Sequence, residues 1–253
     1  MRKILIIGIG AGNPDYLTVQ AINALNQADV FFIPDKGVEK AALRELRTTV
    51  CERFIKNRTY RTVDYQMPQR AGRGENYRAG VDDWHARLEA NFEGLFTAEL
   101  SESECGAFLV WGDPTLYDST LRIVEKIRSK GFALEYEVIP GISAVQALAA
   151  RHRIALNRIG EPVLITTGRR LAEGFPGDVG DVVVMLDGEQ TFKQIAAADL
   201  DIYWGAYLGT EDEILVSGQL AEVRDDIERI RSKAREERGW IMDTYLLRKP
   251  EES

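Results

Sequence analysis

Three short runs of strand-forming residues each end in a glycine turn, and this pattern limits the possible folds more than any other feature. The runs are Lys3–Ile9, Gly106–Trp111 and Leu134–Ile139, and segments with helical spacing separate them. Parallel strands need a crossover connection, which is usually a helix. The chain is therefore predicted to start with an α/β domain that contains a mostly parallel sheet.

A second α/β domain is predicted where the rhythm of the sequence changes, near residues 157–162. After this point shorter strands follow one another with fewer helices between them, and a strongly charged helix is expected at about Ala221–Glu237. The predicted strands are Val163–Thr167, Val182–Leu186, Ile202–Tyr207, Ile214–Ser217 and Ile241–Leu247. The predicted domains are residues 1–156 and 162–253.

Local signals fix several elements more closely. Thr18 is a good N-cap for a helix that runs through Gln27. The strand Asp29–Ile33 is expected to stop at Pro34, because proline has no N–H to donate. Two further helices are predicted at Leu116–Ser129 and Thr191–Ala198.

Composition excludes several classes of function. The net charge of −8 argues against general nucleic-acid binding. The sequence has no apolar stretch of about 20 residues, so no membrane span is predicted. The apolar run after Met1 is interpreted as a buried strand and not as a signal peptide, and we expect a cytoplasmic protein. The two cysteines lack metal-site spacing, so no metal is expected.

One segment departs from the acidic balance. Arg53–Arg78 contains seven basic and two acidic residues. Arginine presents a planar fork that matches a carboxylate, so this segment could attract an anionic small molecule. It could equally be a solvated face of the protein. The candidate substrate-binding residues are Arg58, Arg61, Arg70 and Arg73.

The first glycine turn does not fit the common nucleotide loops. Gly8, Gly10 and Gly12 give G-x-G-x-G, whereas a dinucleotide fingerprint needs G-x-G-x-x-G. Pro14 removes an N–H that a pyrophosphate would need. Ligands of open parallel sheets bind at the carboxyl ends of strands. We therefore expect a ligand without phosphates, contacted by backbone groups, by Asp113 and by Ser143.

The motifs GIGAGNPDYLT, WGDPTLYDST and VIPGISAVQAL, in this order, resemble the tetrapyrrole methylases, and the resemblance covers nearly the whole chain. It implies two α/β domains with S-adenosylmethionine in a cleft between them, S-adenosylhomocysteine as a product, a tetrapyrrole (precorrin) substrate and a homodimer. Within the family, the chain is most similar to members that methylate C-1 of precorrin-5 and release acetate during cobalamin biosynthesis. It departs from commoner members at two places. They often carry glycine at the position of Trp111, and they often carry methionine directly before a glycine where this chain has Met185-Leu186-Asp187-Gly188.

The resemblance also implies roles for particular residues. Those expected to bind the methyl donor are Pro14, Gly112, Asp113, Leu116, Ser143, Ala144, Met185, Leu186, Gly209 and Thr210. Loss of acetate needs a group that activates water or stabilises an oxyanion. The candidates on the expected loops are Asp15, Tyr16, Asp35, Lys36 and Tyr117, each of which could instead be a turn or capping residue. His85 and His152 are interpreted as structural.

Three alternatives stay open on the sequence alone. The chain could be another precorrin or uroporphyrinogen C-methyltransferase. It could be a relative that methylates ribosomal RNA, although the acidic balance argues against this. It could also be a non-catalytic sensor that binds S-adenosylmethionine and reports it to a partner.

Overall fold

The computed structural model describes residues 1–35, 41–56, 59–68, 77–195 and 199–250. The chain divides into two compact units, one of Met1–Gly10 with Pro14–Ser143 and one of Ala11–Asn13 with Ala144–Ser253. Each unit is built on its own five-stranded sheet. The prediction of two α/β domains is thus confirmed.

The sheet of the first unit is entirely parallel, with the strand order β3-β2-β4-β1-β5. Its strands are β1 (Arg2–Gly8), β2 (Val30–Asp35), β3 (Arg61–Gln66), β4 (Cys105–Val110) and β5 (Leu134–Ile139). The helices are α1 (Val19–Leu25), α2 (Ala41–Phe54), α3 (Tyr77–Glu99) and α4 (Thr120–Ser129). Since β1 lies between β4 and β5, the three strands that end in glycine turns are direct neighbours.

Both faces of this sheet are buried, which explains why β1 is apolar without alternation. Leu5 and Ile7 point to one hydrophobic cluster, and Ile4 and Ile6 point to the other. Successive side chains of a strand face opposite sides, so a strand covered on both sides needs apolar residues at every position.

The sheet of the second unit is mixed, with the order β6-β7-β10-β8-β9 and only the pair β6 and β7 parallel. Its strands are β6 (Val163–Thr167), β7 (Asp181–Met185), β8 (Asp201–Ala206), β9 (Ile214–Gln219) and β10 (Asp243–Arg248). The helices are α5 (Ala144–His152), α6 (Gly168–Leu171) and α7 (Leu220–Arg238).

The boundary between the units differs from the predicted one. Apart from Ala11–Asn13, the second unit begins at Ala144 and not near residues 157–162. The reason is that α5 packs on β8 and β10, and that His152 on this helix bonds to the carbonyl of Trp204 at 3.0 Å.

Several predicted elements also differ in their bounds. Strand β2 continues through Pro34, which pairs with Tyr65 of β3, because β2 pairs with β4 only over Val30–Phe32 and needs no further donor on that side. Helix α4 begins at Thr120, not at Leu116, and residues 191–194 form a 3₁₀ turn. The predicted cap is confirmed, since Thr18 Oγ accepts the Ala21 amide at 3.0 Å.

Candidate functional site

The three glycine turns of the first unit meet backbone to backbone. A Cβ added to Gly8 would lie 2.6 Å from the amide nitrogen of Gly141 and 2.9 Å from the carbonyl oxygen of Gly112. A Cβ added to Gly141 would lie 2.2 Å from the same oxygen of Gly112. Glycine is therefore required here so that the carboxyl ends of three neighbouring strands can approach each other.

A short antiparallel bridge extends this arrangement beyond the strand ends. The Gly112 amide donates to the Gly10 carbonyl at 2.8 Å, and the Gly10 amide donates back to the Gly112 carbonyl at 3.3 Å. Both residues have positive φ values, 79° for Gly10 and 72° for Gly112. The loops after β1 and β4 are thus tied to one another.

Asp113 ties the loop after β4 to the loop after β5. Its Oδ2 accepts the Gly141 amide at 2.9 Å, and its Oδ1 accepts the Thr115 amide at 2.8 Å and the Thr115 hydroxyl. Partial burial raises the pKa of Asp113, but the hydrogen bonds from Thr115 and Gly141 outweigh it, so the pKa lies below its ordinary value. Much of the carboxylate's acceptor capacity is used within the loops.

Replacing Asp113 by alanine is expected to lower the free energy of unfolding by about 1–3 kcal/mol, because the partly buried Gly141 amide and the two donors of Thr115 lose a charged acceptor. The stabilisation by the ionised carboxylate is present above the ordinary carboxyl pKa and is lost as the pH falls through the lowered pKa of Asp113. Urea unfolding of wild type and Asp113→Asn across acid pH measures this: wild type should lose more stability on acidification. The control Thr115→Val keeps the bond to Gly141, and equal acid sensitivity of wild type and Asp113→Asn would contradict the assignment.

The rest of the loop after β4 carries two further candidates. Tyr117 has a φ of 54° and is 44% exposed, and burial of its ring raises the pKa of its hydroxyl. A positive φ in a tyrosine is strained backbone of the kind that is found at functional sites. Leu116 is half-buried one residue earlier. On the loop after β5, Ser143 is buried, and its Cα lies 3.7 Å from where a Cβ on Gly112 would be.

The acidic candidates are engaged with other residues. Asp15 is exposed, in the 3₁₀ turn Pro14–Tyr16, and pairs with Arg53 at 2.5 Å. Asp35 ends β2 and accepts from the side-chain amide of Gln66 at 2.7 Å. Tyr16 packs against Gly10, and Pro14 is half-buried. Asp35 and the turn Pro14–Tyr16 therefore lie at or after the carboxyl ends of β2 and β1.

Arg61 lies at the opposite edge. It is the first residue of β3, and it donates to Glu104, which precedes β4, and to the Glu99 carbonyl, both at 2.5 Å. The Arg61 guanidinium and the Ser101 amide lower the pKa of Glu104 to about 2. The structure thus does not bring Arg61 to the glycine turns. The candidates Lys36, Arg58, Arg70 and Arg73 lie outside the described residues.

In the second unit, Leu186 follows β7 in a strained turn. Its φ is 55° and its side chain is 65% exposed, while Met185 before it is half-buried. A large apolar side chain held outward on a left-handed backbone costs free energy in the folded protein. The surrounding structure must therefore enforce this turn.

Asp187 is the residue that enforces it. Its buried carboxylate accepts the Thr191 amide at 2.6 Å, the Thr191 hydroxyl at 2.9 Å, the Glu189 amide at 3.2 Å and the Tyr245 hydroxyl at 2.6 Å. Its backbone carbonyl accepts from Arg231 at 3.2 Å. Sequence analysis missed Asp187, whose only local signal was its place after a buried strand.

A second turn of this unit holds Gly209 and Thr210. Gly209 has a φ of 77°, and its amide donates to Glu213 at 2.8 Å. The amide and the hydroxyl of Thr210 both donate to the Tyr207 carbonyl, at 3.0 and 2.7 Å. Ala144 is the first residue of α5 and is half-buried.

Two polar groups of the first unit were not predicted as site residues. Arg47 on α2 is buried, and its Nε donates to the Leu109 carbonyl at 3.0 Å; burial lowers its pKa, while Tyr65 and Asp118 act against that shift. His85 on α3 lies 3.1 Å from the Ser119 hydroxyl, measured from Nε2 to Oγ. In the part of the chain that the structure describes, no group of acidic, histidine or cysteine side chains could hold a metal ion, and no helix is long and apolar enough to cross a membrane.

Comparison with known proteins gives consistent matches. A family model described as tetrapyrrole (corrin/porphyrin) methylases matches residues 3–224. A precorrin-6A synthase (deacetylating) from Sinorhizobium sp is 57% identical over 250 residues, which cover 98% of this chain and 96% of the relative.

Two further relatives place this match in context. The crystal structure of a cobalamin synthesis related protein (CobF) from Corynebacterium diphtheriae is 39% identical, with a TM-score of 0.84, and the match covers 99% of this chain and 100% of that one. A precorrin-2 C(20)-methyltransferase from Sinorhizobium sp is 26% identical over 196 residues, 76% of each chain. The similarity is therefore graded within one family.

Proposed function

The chain belongs to the tetrapyrrole (corrin/porphyrin) methylases, and from this membership we propose that it is the S-adenosylmethionine-dependent methyltransferase that converts precorrin-5 to precorrin-6A in cobalamin biosynthesis. In this reaction a methyl group is added to C-1 of the ring and acetate is released. The observation that carries the proposal is the 57% identity to a deacetylating precorrin-6A synthase along nearly the whole of both chains.

The alternatives have weaker support. A methyltransferase that acts on precorrin-2 shares only 26% of its residues with this chain over a shorter match. A non-catalytic sensor would also have to bind the methyl donor, but it would not need to turn over a tetrapyrrole.

The glycine turns of the first unit are assigned to the binding of S-adenosylmethionine. They are tied to each other by backbone bonds and by Asp113, and they lie at the carboxyl edge of a parallel sheet. When bound, S-adenosylmethionine supplies an electrophilic methyl group. We assign contacts with its amino-acid and ribose portions to Gly112, Leu116 and Ser143, with Asp113 chiefly fixing the loops.

In the second unit, the apolar face for the adenine is assigned to Met185 and Leu186, and backbone contacts to Gly209 and Thr210. The exposed, strained Leu186 supports this assignment. When a flat ring covers an apolar side chain, apolar surface is removed from water, and this stabilises the complex. Pro14 and Ala144 are assigned to the same ligand from the family pattern.

The substrate would carry several carboxylates into a protein with a net charge of −8. We propose that Arg58, Arg70 and Arg73 offset this charge, because a local basic segment counters like-charge repulsion during encounter. Arg61 is left out, since Glu104 already holds it. We further propose a cytoplasmic homodimer.

Ligand-dependent stability tests the proposed donor. S-adenosylhomocysteine at about 100 times its dissociation constant should raise the free energy of unfolding by about 2.7 kcal/mol, whereas NAD and ATP should leave it unchanged. Thermal and urea unfolding with each ligand measures the effect. Stabilisation by NAD or ATP in place of S-adenosylhomocysteine would overturn the proposal.

A further inference from the structure

A histidine and a serine from different elements of the first unit meet at hydrogen-bond distance. His85 lies on α3, Ser119 directly precedes α4, and 3.1 Å separate His85 Nε2 from Ser119 Oγ. A hydroxyl in contact with an imidazole is the arrangement that activates serine as a nucleophile, since the ring can take the hydroxyl proton.

The hydroxyl of Ser119 does not cap α4, although Ser119 stands at the N-cap position of this helix. Ser119 is the N-cap of α4, where a serine normally accepts an amide of the first turn, yet its side chain makes no capping hydrogen bond. Asp118 accepts the Thr120 amide instead, at 2.7 Å. The helix start is thus served by the neighbouring residue, and the Ser119 hydroxyl is directed to His85.

The pair also lies on the functional edge of the sheet. Ser119 ends the loop that begins at Gly112, and the strained Tyr117 is two residues before it. Ser119 and His85 are both only half-buried, so a substrate group can reach them. The buried guanidinium of Arg47, held at the carbonyl of Leu109 near the end of β4, lies close enough to Asp118 for their charges to interact.

The two acidic candidates for acetate release, Asp15 and Asp35, fit less well. Asp15 is paired with Arg53, and Asp35 accepts from Gln66. His152, the second of the two histidines in the chain, belongs to the second unit and bonds there to the carbonyl of Trp204. Among the described residues, the pair of His85 and Ser119 combines a base, a nucleophile and a place at this edge.

We propose that Ser119 and His85 are the nucleophile and the base that remove the acetyl group from the substrate, an inference that rests on the proposed function. Ser119 Oγ forms a bond to the acetyl carbonyl carbon while its proton passes to His85 Nε2. The bond between the acetyl carbon and the ring carbon breaks, and its electron pair stays on the ring carbon. That carbon then has the electron pair that forming a bond to a methyl group requires.

The acetyl group is then on Ser119, and water completes the reaction. His85 releases its first proton to solvent, takes a proton from water as the water attacks the acetyl-serine ester, and returns it to Ser119 Oγ when the ester breaks. The products are acetic acid and the restored pair. The sequence consumes one water and needs no oxidant or reductant.

Single-turnover reactions with precorrin-5 and S-adenosylmethionine test the pair. Ser119→Ala and His85→Gln should each slow acetate release by about 100-fold or more, the usual size of a general-base contribution. Their dissociation constants for S-adenosylhomocysteine and precorrin-5 should stay at the wild-type values, which also shows that they are folded. Wild-type protein quenched in acid during the turnover should carry an acetyl group on the peptide that contains Ser119.

The chain offers matched controls. Ser129→Ala changes a serine at the other end of α4, whose hydroxyl bonds to the Lys126 carbonyl, and His152→Gln changes the remaining histidine. Both should release acetate at the wild-type rate. Undiminished acetate release by Ser119→Ala or His85→Gln, or a wild-type peptide that is never acetylated, overturns the inference while the proposed function stands. Wild type that forms neither acetate nor a methylated product overturns both.

Discussion

Replacing Gly141 by alanine is expected to lower the free energy of unfolding by about 1–3 kcal/mol, the usual cost of overpacking, and to abolish binding of S-adenosylhomocysteine. The new Cβ would lie 2.2 Å from the Gly112 carbonyl oxygen and 2.9 Å from the Gly8 carbonyl carbon. Both are backbone atoms of neighbouring strand ends, so no flexible side chain can move to make room. The strand ends must separate, and the hydrogen bond from the Gly141 amide to Asp113 is then lost.

The matched control is Gly94→Ala in the middle of α3. A Cβ there meets nothing within 4 Å, and alanine is the better helix former, so stability should rise by about 0.5–1 kcal/mol. Urea unfolding and titration calorimetry of both variants measure the contrast. A Gly141→Ala variant that is as stable as wild type and binds the ligand equally well would show that the close approach of the three turns does not matter.

Replacing Asp187 by alanine is expected to cost about 3 kcal/mol or more of unfolding free energy, because several buried donors lose their acceptor together. The Tyr245 hydroxyl and both donors of Thr191 point at this carboxylate. Burial, together with the Asp187 carboxylate, raises the pKa of Tyr245 and keeps its proton in this bond. The strained turn at Leu186 loses its support as well, so affinity for S-adenosylhomocysteine should fall.

Asp178→Ala makes the same chemical change at an exposed position of the same unit and should leave stability within about 0.5 kcal/mol of wild type. Tyr245→Phe removes a single donor and should cost only about 1 kcal/mol. Urea unfolding of the three variants ranks them. Equal losses for Asp187→Ala and Asp178→Ala would contradict the view that the buried carboxylate holds this turn.

The parallel sheet of the first unit could be predicted because its signals are local. Strand-forming runs, glycine turns and the cap at Thr18 each lie within a few residues, and short-range sterics and hydrogen bonding govern them. The boundary at Ala144 was not predicted, because it depends on α5 packing against β8 and β10, which lie far along the chain. The continuation of β2 through Pro34 was not predicted either, because it depends on β2 pairing with β4 only over Val30–Phe32.

The same distinction holds for the candidate site. The glycine turns at Gly8, Gly112 and Gly141 were visible as motifs, but their meeting depends on the strand order, which places β1 between β4 and β5. His85 and Ser119 are 34 residues apart in sequence, and nothing near either residue signals the other. Arg61 was predicted to bind substrate, and its partner Glu104 is 43 residues away in the sequence. Pairings between distant side chains are set by tertiary packing, which a single sequence does not reveal.

The mass balance of one turnover tests the central claim most directly. The protein is incubated with precorrin-5 and S-adenosylmethionine that carries an isotopically labelled methyl group, and mass spectrometry follows the tetrapyrrole and acetate. The account predicts that each product molecule gains one labelled methyl group and loses one acetyl group, with acetate formed in equal amount. A product that gains the methyl group and keeps its acetyl group, or turnover of precorrin-2 in place of precorrin-5, would contradict it.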